Sequence, residues 1–305
     1  MNNTGTMVKR ENIPALIALV ALAFLWSYNW VAMKVGLRYA APFDFVALRT
    51  ILGGLCLLLV LLLRGRPLKP RNLRAVLWLG FFQTTLFTTL AFWSLVHGGA
   101  GKAAVLCYTM PFWVILLAVP FLGERMRGLQ WLAVLVALAG MLCIFEPWHR
   151  NPDLVSSSMA VLAGAAWGAS VIVAKKIPVK SMWELVSLSG WQMLLGGIPI
   201  VLIAWWLPSH PIQWSGAFIW SLFYNVIPAN ALAWLLWLYV LQRLSASISG
   251  LCSLAVPVVG VLAAWLQLGE RPGYSEAVGM ALIIIALAML SAAAFFRRAA
   301  APGRA

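Results

Sequence analysis

The chain has 305 residues, of which 63% are hydrophobic and only 10% charged, and its mean hydropathy is +0.92. That is more apolar surface than the core of a soluble protein can bury, so the composition indicates an integral membrane protein. The net charge of +14 comes from basic residues scattered singly between apolar runs, which argues against a nucleic-acid partner. The four cysteines all fall inside apolar runs, which argues against a disulfide framework or a metal cluster.

Ten apolar runs, called spans 1 to 10 below, follow one another with short connections. A membrane-crossing helix needs about 20 mainly apolar residues. The runs cover residues 13–33, 43–63, 73–95, 102–122, 129–146, 157–175, 184–206, 215–240, 247–268 and 276–296. Span 1 lacks a small-residue cleavage site, so we interpret it as a membrane helix and not as a removable signal peptide. The sequence therefore predicts an all-α protein with ten transmembrane helices.

Basic residues predict how these spans are oriented. If the N-terminus is cytoplasmic, the segments on the inner side hold sixteen Lys and Arg residues and those on the outer side hold five. Cytoplasmic loops of membrane proteins carry such an excess. We therefore expect both termini to face the cytoplasm, with membrane lipid as a partner of the basic segments.

Short motifs recur at a nearly constant separation. Leu-Gly-Glu-Arg occurs at 122–125 and again, 146 residues later, at 268–271. Separations of 141 to 146 residues relate four further pairs: Trp26 and Trp167, Lys34 and Lys175, Gly53-Gly54 and Gly196-Gly197, and Pro111 and Pro257. Separations that change this gradually are typical of a diverged duplication with small loop insertions.

The duplication predicts an inverted repeat. Each half holds five spans, and an odd number makes the second half enter the membrane from the opposite side. The predicted units are a cytoplasmic tail (1–12), repeat 1 (13–149), repeat 2 (150–296) and a second cytoplasmic tail (297–305). Two inverted halves can exchange arrangements and so give alternating access to a site near their interface, which predicts a secondary transporter.

The sequence also resembles the drug/metabolite transporter superfamily, in particular its ten-helix EamA-type members. The resemblance rests on the two sets of five spans, the Trp-x7-Lys ends of spans 1 and 6, "RTILGG" at Arg49–Gly54, and a proline before each Leu-Gly-Glu-Arg motif. It implies a cavity lined mainly by spans 1, 3, 4, 6, 8 and 9. It also implies export of amino acids or related small metabolites, aromatic ones in some relatives, across a bacterial cytoplasmic membrane, by a monomer or weak oligomer. Other members carry sugars, nucleotide derivatives or phosphorylated compounds, so these solutes stay open as alternatives.

Polar and aromatic side chains within the spans are the candidates for the substrate cavity. Polar groups are costly inside a membrane and often functional, although interhelical hydrogen bonding is the alternative for each. Aromatic side chains offer stacking faces to an aromatic or apolar solute, with packing against lipid as the alternative. The candidates are Trp26, Asn29, Gln83, Thr84, Tyr108, Trp167, Ser170, Tyr224, Asn225, Asn230 and Ser253.

Two prolines are candidate hinges. Pro111 and Pro257 lie about midway along spans 4 and 9. A proline inside a helix frees the carbonyl four residues earlier, which here belongs to Cys107 and Ser253. The alternative is a simple packing kink.

Charged residues near the span ends are candidates for the two mouths of the path. They are Lys34, Lys175, Glu124 and Glu270. For the two glutamates, a helix end followed by a solvated ion pair is the competing interpretation. Arg49 lies six residues into span 2, where it either contacts the substrate or extends toward the membrane surface.

Missing residue types narrow the function further. No span carries Asp or Glu near its middle, so we predict facilitated diffusion or exchange in place of proton coupling. The three histidines lie in predicted loops, which argues against an intramembrane enzyme and against a metal or other cofactor. A membrane scaffold that transports nothing is the other alternative. Because few basic residues are available to the cavity, zwitterionic or neutral solutes are preferred to organic anions.

Overall fold

The computed structural model describes residues 13–123, 128–145, 153–207, 209–243 and 246–299. These residues form α-helices and no strand. In chain order the helices are α1 (Ile13–Gly36), α2 (Pro42–Leu63), α3 (Leu73–Leu79), α4 (Phe87–His97), α5 (Ala100–Cys107), α6 (Met110–Leu122), α7 (Gly128–Phe145), α8 (Leu154–Lys175), α9 (Met182–Trp206), α10 (Gly216–Val226), α11 (Ala233–Arg243), α12 (Ala246–Leu268) and α13 (Tyr274–Ala299).

Eight helical stretches of the described chain are long and apolar enough to cross a membrane, and they coincide with predicted spans 1 to 8. They are Ile17–Gly36, Pro42–Leu63, Leu73–Val96, Ala100–Phe121, Gly128–Phe145, Leu154–Lys175, Met182–Trp206 and Gly216–Arg243. Two shorter apolar stretches, Val256–Leu268 in α12 and Tyr274–Leu290 in α13, coincide with spans 9 and 10. The protein is therefore a multi-pass integral membrane protein.

Spans 3 and 8 are not regular α-helices, contrary to the simple prediction. A π-helical segment, Gly80–Leu86, joins α3 to α4, and a second, Ile227–Leu232, joins α10 to α11. Pro228 lies in the first turn of the second segment, where its missing N–H is tolerated. Single π-helical turns within α-helices are frequent at functional sites. The two segments lie about 146 residues apart, which is the separation found in the sequence.

Span 4 is broken, which corrects the prediction for Pro111. The Tyr108 N–H donates to the Ala104 carbonyl at 3.0 Å as α5 ends, and the Phe112 N–H donates to the Thr109 carbonyl at 3.0 Å as α6 begins. Pro111 thus occupies the first turn of α6, a favourable position for proline, instead of kinking a continuous helix. Pro257 does lie inside a continuous helix, α12, so the two prolines are not structurally equivalent.

Glycines allow helices from the two halves of the chain to approach closely. A Cβ on Gly140 of α7 would lie 2.7 Å from the Gly279 carbonyl oxygen of α13. On α9, a Cβ on Gly196 would lie 2.4 Å from the Gly80 carbonyl oxygen. Small residues at such contacts are typical of helix pairs in membranes, where close packing replaces the hydrophobic driving force.

Candidate functional site

A cluster of aromatic rings lies where α1, α4, α8 and α11 meet. The ring centroid of Trp26 lies 5.2 Å from that of Trp167 and 5.0 Å from that of Trp234. The Trp167 ring also lies 5.2 Å from both Phe87 and Tyr108. Most of these contacts are edge-to-face, the arrangement that aromatic quadrupoles favour. The two tryptophans that the sequence paired are therefore in direct contact.

These rings border a small cavity of about 30 Å³. Its lining combines aromatic faces with a few polar groups, as small-molecule sites usually do. The described lining residues are Trp26, Asn29, Trp30, Met33, Arg49, Phe87, Thr88, Ala91, Phe92, Tyr108, Trp167, Ala229 and Trp234. Both halves of the chain contribute to it.

Arg49 is the one charged side chain in this described lining. It is only 4% exposed, so it does not extend to the membrane surface. Its guanidinium carbon lies 5.2 Å from the centroid of the Phe92 ring, a cation–π contact. Its Nε has no hydrogen-bond partner, and no carboxylate of the described chain forms an ion pair with it.

Other polar groups of the lining are only partly satisfied. The Asn29 amide nitrogen contacts the Met33 sulfur at 3.0 Å, while its oxygen has no partner. The Trp26 indole N–H donates to the Ala229 carbonyl at 3.3 Å. The indole N–H of Trp167 is buried and has no acceptor within the described residues. Unpaired buried polar groups are costly, and in a binding site a ligand can satisfy them.

A group of charges lies where the ends of α1, α4 and α12 meet the beginnings of α5, α8 and α13. The Lys102 ammonium lies 2.9 Å from an Asp153 carboxylate oxygen and 3.0 Å from one of Glu276. Glu270 accepts hydrogen bonds from the N–H groups of Ala100 and Gly101, at 2.9 and 3.1 Å. It therefore caps the N-terminus of α5, where negative charge is favourable.

Lys34 and Lys175, the two lysines predicted to lie at the mouths of the path, have different surroundings. Lys34 donates to the carbonyls of Leu95 and Gly98, each at 2.6 Å, and so satisfies the C-terminal end of α4. Lys175 is exposed in the last turn of α8. Glu124 lies outside the described residues.

Comparison with known proteins decides the family. The model of the EamA-like transporter family matches residues 13–146 and, a second time, residues 155–292. The chain belongs to the EamA-like transporter family. It is a transporter and not an enzyme. It is 28% identical over 293 residues to a probable amino-acid metabolite efflux pump of Escherichia coli, covering 92% of this chain and 94% of that one.

One further relative and one solved structure are similar to this chain over most of its length. The transporter YoaV of Bacillus subtilis is 25% identical over 283 residues, covering 91% of this chain and 96% of its own length. A crystal structure of a protein 20% identical to this EamA-like transporter has a TM-score of 0.68, covering 92% of this chain and 99% of that one. At that identity the structural likeness concerns the fold alone.

Five predicted cavity candidates of this EamA-like transporter are absent from the cavity lining and make hydrogen bonds within or between helices. Thr84 donates to the Gln192 side-chain oxygen at 2.5 Å, and the Asn230 amide donates to the Arg49 carbonyl at 3.0 Å. The other three bonds run from Ser170 to the Trp167 carbonyl at 2.7 Å, from Tyr224 to the Leu25 carbonyl at 2.9 Å, and from Asn225 to the Ser221 carbonyl at 3.0 Å. Gln83 is buried without a partner for its amide, also outside the lining. The side chain of Ser253 lies outside the described residues.

Several lining residues are not among the selected cavity candidates. Phe87 and Ala229 carry no polar group to single them out. Thr88 is a threonine that its own helix backbone can satisfy, and Trp234 is one of the deep tryptophans able to offer a stacking face, but neither was selected. Thr88 and Trp234 are 146 residues apart, so the repeat separation was a signal that could have selected them. The family resemblance placed the cavity on spans 1, 3, 4, 6, 8 and 9. The described lining also includes Arg49 of span 2, and the side chains of span 9 up to residue 255 lie outside the described residues.

Proposed function

We propose that this EamA-like transporter exports amino acids, aromatic ones among them, across a bacterial cytoplasmic membrane by alternating access. The observation that carries the proposal is the cavity between the two halves, which combines aromatic faces from Trp26, Trp167 and Trp234 with polar groups of Asn29 and Arg49. Apolar walls with a few convergent polar groups suit a small solute that has one apolar and one polar end. The name of the Escherichia coli relative, an amino-acid metabolite efflux pump, agrees with this substrate class and direction.

Alternating access requires two halves that can exchange roles, and we propose that ten spans form two inverted five-helix repeats, 13–149 and 150–296. The two matches to one family model support this. Equivalent contacts support it as well. A Cβ on Gly53 would lie 2.7 Å from the Asn230 amide nitrogen, and one on Gly196 would lie 2.7 Å from the Thr84 Cβ. Gly196 follows Gly53 by 143 residues, and Asn230 follows Thr84 by 146 residues. The two contacts therefore join equivalent positions of the two repeats.

The proposed topology, with both termini cytoplasmic, agrees with which loops meet. Lys102, Asp153 and Glu276, which form ion pairs, lie in or beside connections predicted to be outside. Arg71 and Glu184 form an ion pair between two connections predicted to be inside. In an alternating series of spans, connections on the same side of the membrane can meet in this way.

We further propose facilitated diffusion or exchange by a monomer or weak oligomer. The described cavity lining holds no carboxylate that could bind and release a proton within the membrane. Uphill transport on a proton gradient alone, in liposomes that contain only the purified protein, would contradict this part of the proposal.

The test of the substrate class is counterflow in liposomes. Vesicles with the purified protein are loaded with an unlabelled solute, and uptake of the labelled solute is followed for a panel of amino acids, amines, sugars, nucleotide derivatives and organic anions. We expect amino acids, and aromatic ones above all, to exchange. Exchange of another class with every amino acid inactive would overturn the proposed substrate. Inactivity of the whole panel would likewise overturn it.

A further inference from the structure

Arg49 is a buried cation that no carboxylate of the described residues neutralises. The residue is 4% exposed, and its Nε has no hydrogen-bond partner among the described residues. Its guanidinium lies against the face of the Phe92 ring. An arginine in a membrane helix costs up to about 2.5 to 3.5 kcal/mol on the mildest scales, the full value at the helix centre and less toward its end. A cation–π contact offsets about 0.5 to 2 kcal/mol of that cost. The remaining deficit points to a partner that the described protein residues do not supply.

A second, independent observation lies in the same cavity. The indole N–H of Trp167 is buried and also lacks an acceptor. The Arg49 Nε–H on α2 and the Trp167 indole N–H on α8 thus belong to residues that line the same cavity, and neither has an acceptor among the described residues. The unpaired acceptor in the lining is the neutral amide oxygen of Asn29. The space therefore favours a ligand with a compact group that accepts hydrogen bonds and carries negative charge.

We propose that Arg49 binds the carboxylate of the solute, and that the solute class is aromatic monocarboxylates with or without an amino group. A guanidinium matches a carboxylate through two parallel hydrogen bonds. The rings of Trp26, Trp167 and Phe87 would then hold the aromatic body of the solute. A phosphate ester would bring a second negative charge against one arginine. A sugar would present more hydroxyl groups than this lining can pair.

The amino group of an amino acid finds little in this cavity to bind it. The described lining carries no carboxylate, so an ammonium would meet the Asn29 amide oxygen and aromatic faces only. It would also be repelled by Arg49. Removing the amino group from the solute should therefore matter much less than removing its carboxylate. The inference rests on the proposed function and makes it more specific.

Three matched solutes separate these contributions: L-phenylalanine, 3-phenylpropionate and 2-phenylethylamine. Each is titrated against the purified full-length protein in lipid nanodiscs, with the shift in thermal unfolding as readout, and each is tested as a competitor in counterflow. We expect the two carboxylates to bind within about threefold of one another, and the amine about tenfold or more weakly, the loss typical of removing a hydrogen bond to a charged group. Equal or stronger binding of the amine, or no binding of either carboxylate, would overturn the inference.

Variants of Arg49 test the residue itself. We expect Arg49→Gln to weaken both carboxylates about tenfold or more while changing binding of the amine little or strengthening it, and Arg49→Lys to retain part of the carboxylate preference. Arg64→Gln, at the exposed end of α2, controls for loss of a positive charge. Unchanged carboxylate binding in Arg49→Gln would overturn the inference. If that variant does not fold, the comparison of the three solutes on the unaltered protein still decides.

The two proposals fail in different ways. If amino acids exchange in counterflow but the carboxylate preference is absent, the role of Arg49 is wrong and the proposed function stands. If phenylpropionate exchanges and no amino acid does, the role of Arg49 stands and amino-acid transport is wrong.

Discussion

Replacing Lys102 with methionine should loosen one end of the molecule. This lysine at the start of α5 joins the first half of the chain to Asp153, at the start of α8, and to Glu276, in the first turn of α13. Lys102 is 9% exposed, whereas the two carboxylate side chains are 34% and 25% exposed. The substitution keeps a long apolar stem and removes the ammonium that contacts both carboxylates.

The magnitude follows from this intermediate exposure. An exposed ion pair contributes about 0 to 1 kcal/mol, and removing one partner from a fully buried pair costs about 3 to 5 kcal/mol. Lys102→Met should therefore cost about 1 to 3 kcal/mol, a value between these limits. The ion pairs connect the two halves. Much of the lost stabilisation should therefore shift the equilibrium toward a state in which the helices at this end are separated. A change of 1.4 kcal/mol corresponds to a tenfold change in the population of an open state.

Thiol labelling measures that population. Met280 is buried and borders the space beside Lys102, so a cysteine at 280 reports when this end opens. We expect Lys102→Met to raise its rate of labelling by a membrane-impermeant maleimide about tenfold and to lower the thermal unfolding midpoint. The parent protein without the new cysteine corrects for native thiols, and Lys180→Met controls for loss of an exposed lysine.

Neutralising the partners completes this test. Adding Asp153→Asn and Glu276→Gln to Lys102→Met removes the negative charges that Lys102 contacted, so part of the lost stability should return. A labelling rate and a midpoint that do not change in Lys102→Met would show that these ion pairs do not hold the two halves together.

Three further predictions concern single side chains. Gly196→Ala should lower the stability by about 1 to 3 kcal/mol because its Cβ would lie 2.4 Å from the Gly80 carbonyl oxygen; Gly216→Ala, which meets no atom within 4 Å, is the control, and equal unfolding midpoints would contradict the expected clash. Glu270→Gln weakens the cap on α5 by about 1 to 2 kcal/mol, so counterflow rates should change while ligand-induced thermal shifts persist; unchanged rates would limit Glu270 to a helix end. Trp167→Leu should raise the half-saturating concentration of an aromatic solute about tenfold, as loss of a ring contact predicts; an unchanged value would remove this ring from the site.

Hydrophobic patterning predicted where the helices lie, because burial in lipid demands long apolar runs and little else. It could not predict the π-helical segments at Gly80–Leu86 and Ile227–Leu232, since one extra residue in a turn leaves an all-round apolar run equally apolar. The break before Met110 was missed for a related reason. Pro111 indicated that span 4 is irregular, but the same proline is compatible with a kink in one helix and with the first turn of a new helix.

For the cavity, the repeat separation was informative for aromatic residues and not for polar ones. It selected Trp26 and Trp167, whose rings meet in the structure. The polar residues Thr84 and Asn230 are also matched by the repeat, yet they hydrogen-bond to other helices outside the lining. A polar side chain inside a membrane must be satisfied wherever it lies, so its presence alone does not distinguish a site from a helix contact.

The sequence predicted that charged residues lie at the helix ends, but not which of them form ion pairs with each other. Lys102 is the first residue of predicted span 4, and in the structure helix α5 begins two residues before it and buries it. In sequence it is a single lysine at the edge of an apolar run, whereas in space it meets carboxylates from residues far along the chain. Such pairs depend on how the halves pack, which periodicity does not specify.

The short helix α5 physically connects the two candidate regions. Its N-terminus is held by Glu270 and Lys102, and the chain leaves its C-terminus at Tyr108, whose ring lies 5.2 Å from Trp167 in the cavity. Eight helical residues extend only about 12 Å, too short a distance for a helix to bend appreciably. A shift of α5 at the charged end should therefore move Tyr108 as well. Linkage then requires reciprocity: if Lys102→Met changes the affinity of the cavity for a solute by some factor, that solute must change the opening equilibrium at Lys102 by the same factor. The labelling and binding experiments measure the two sides of this equality independently.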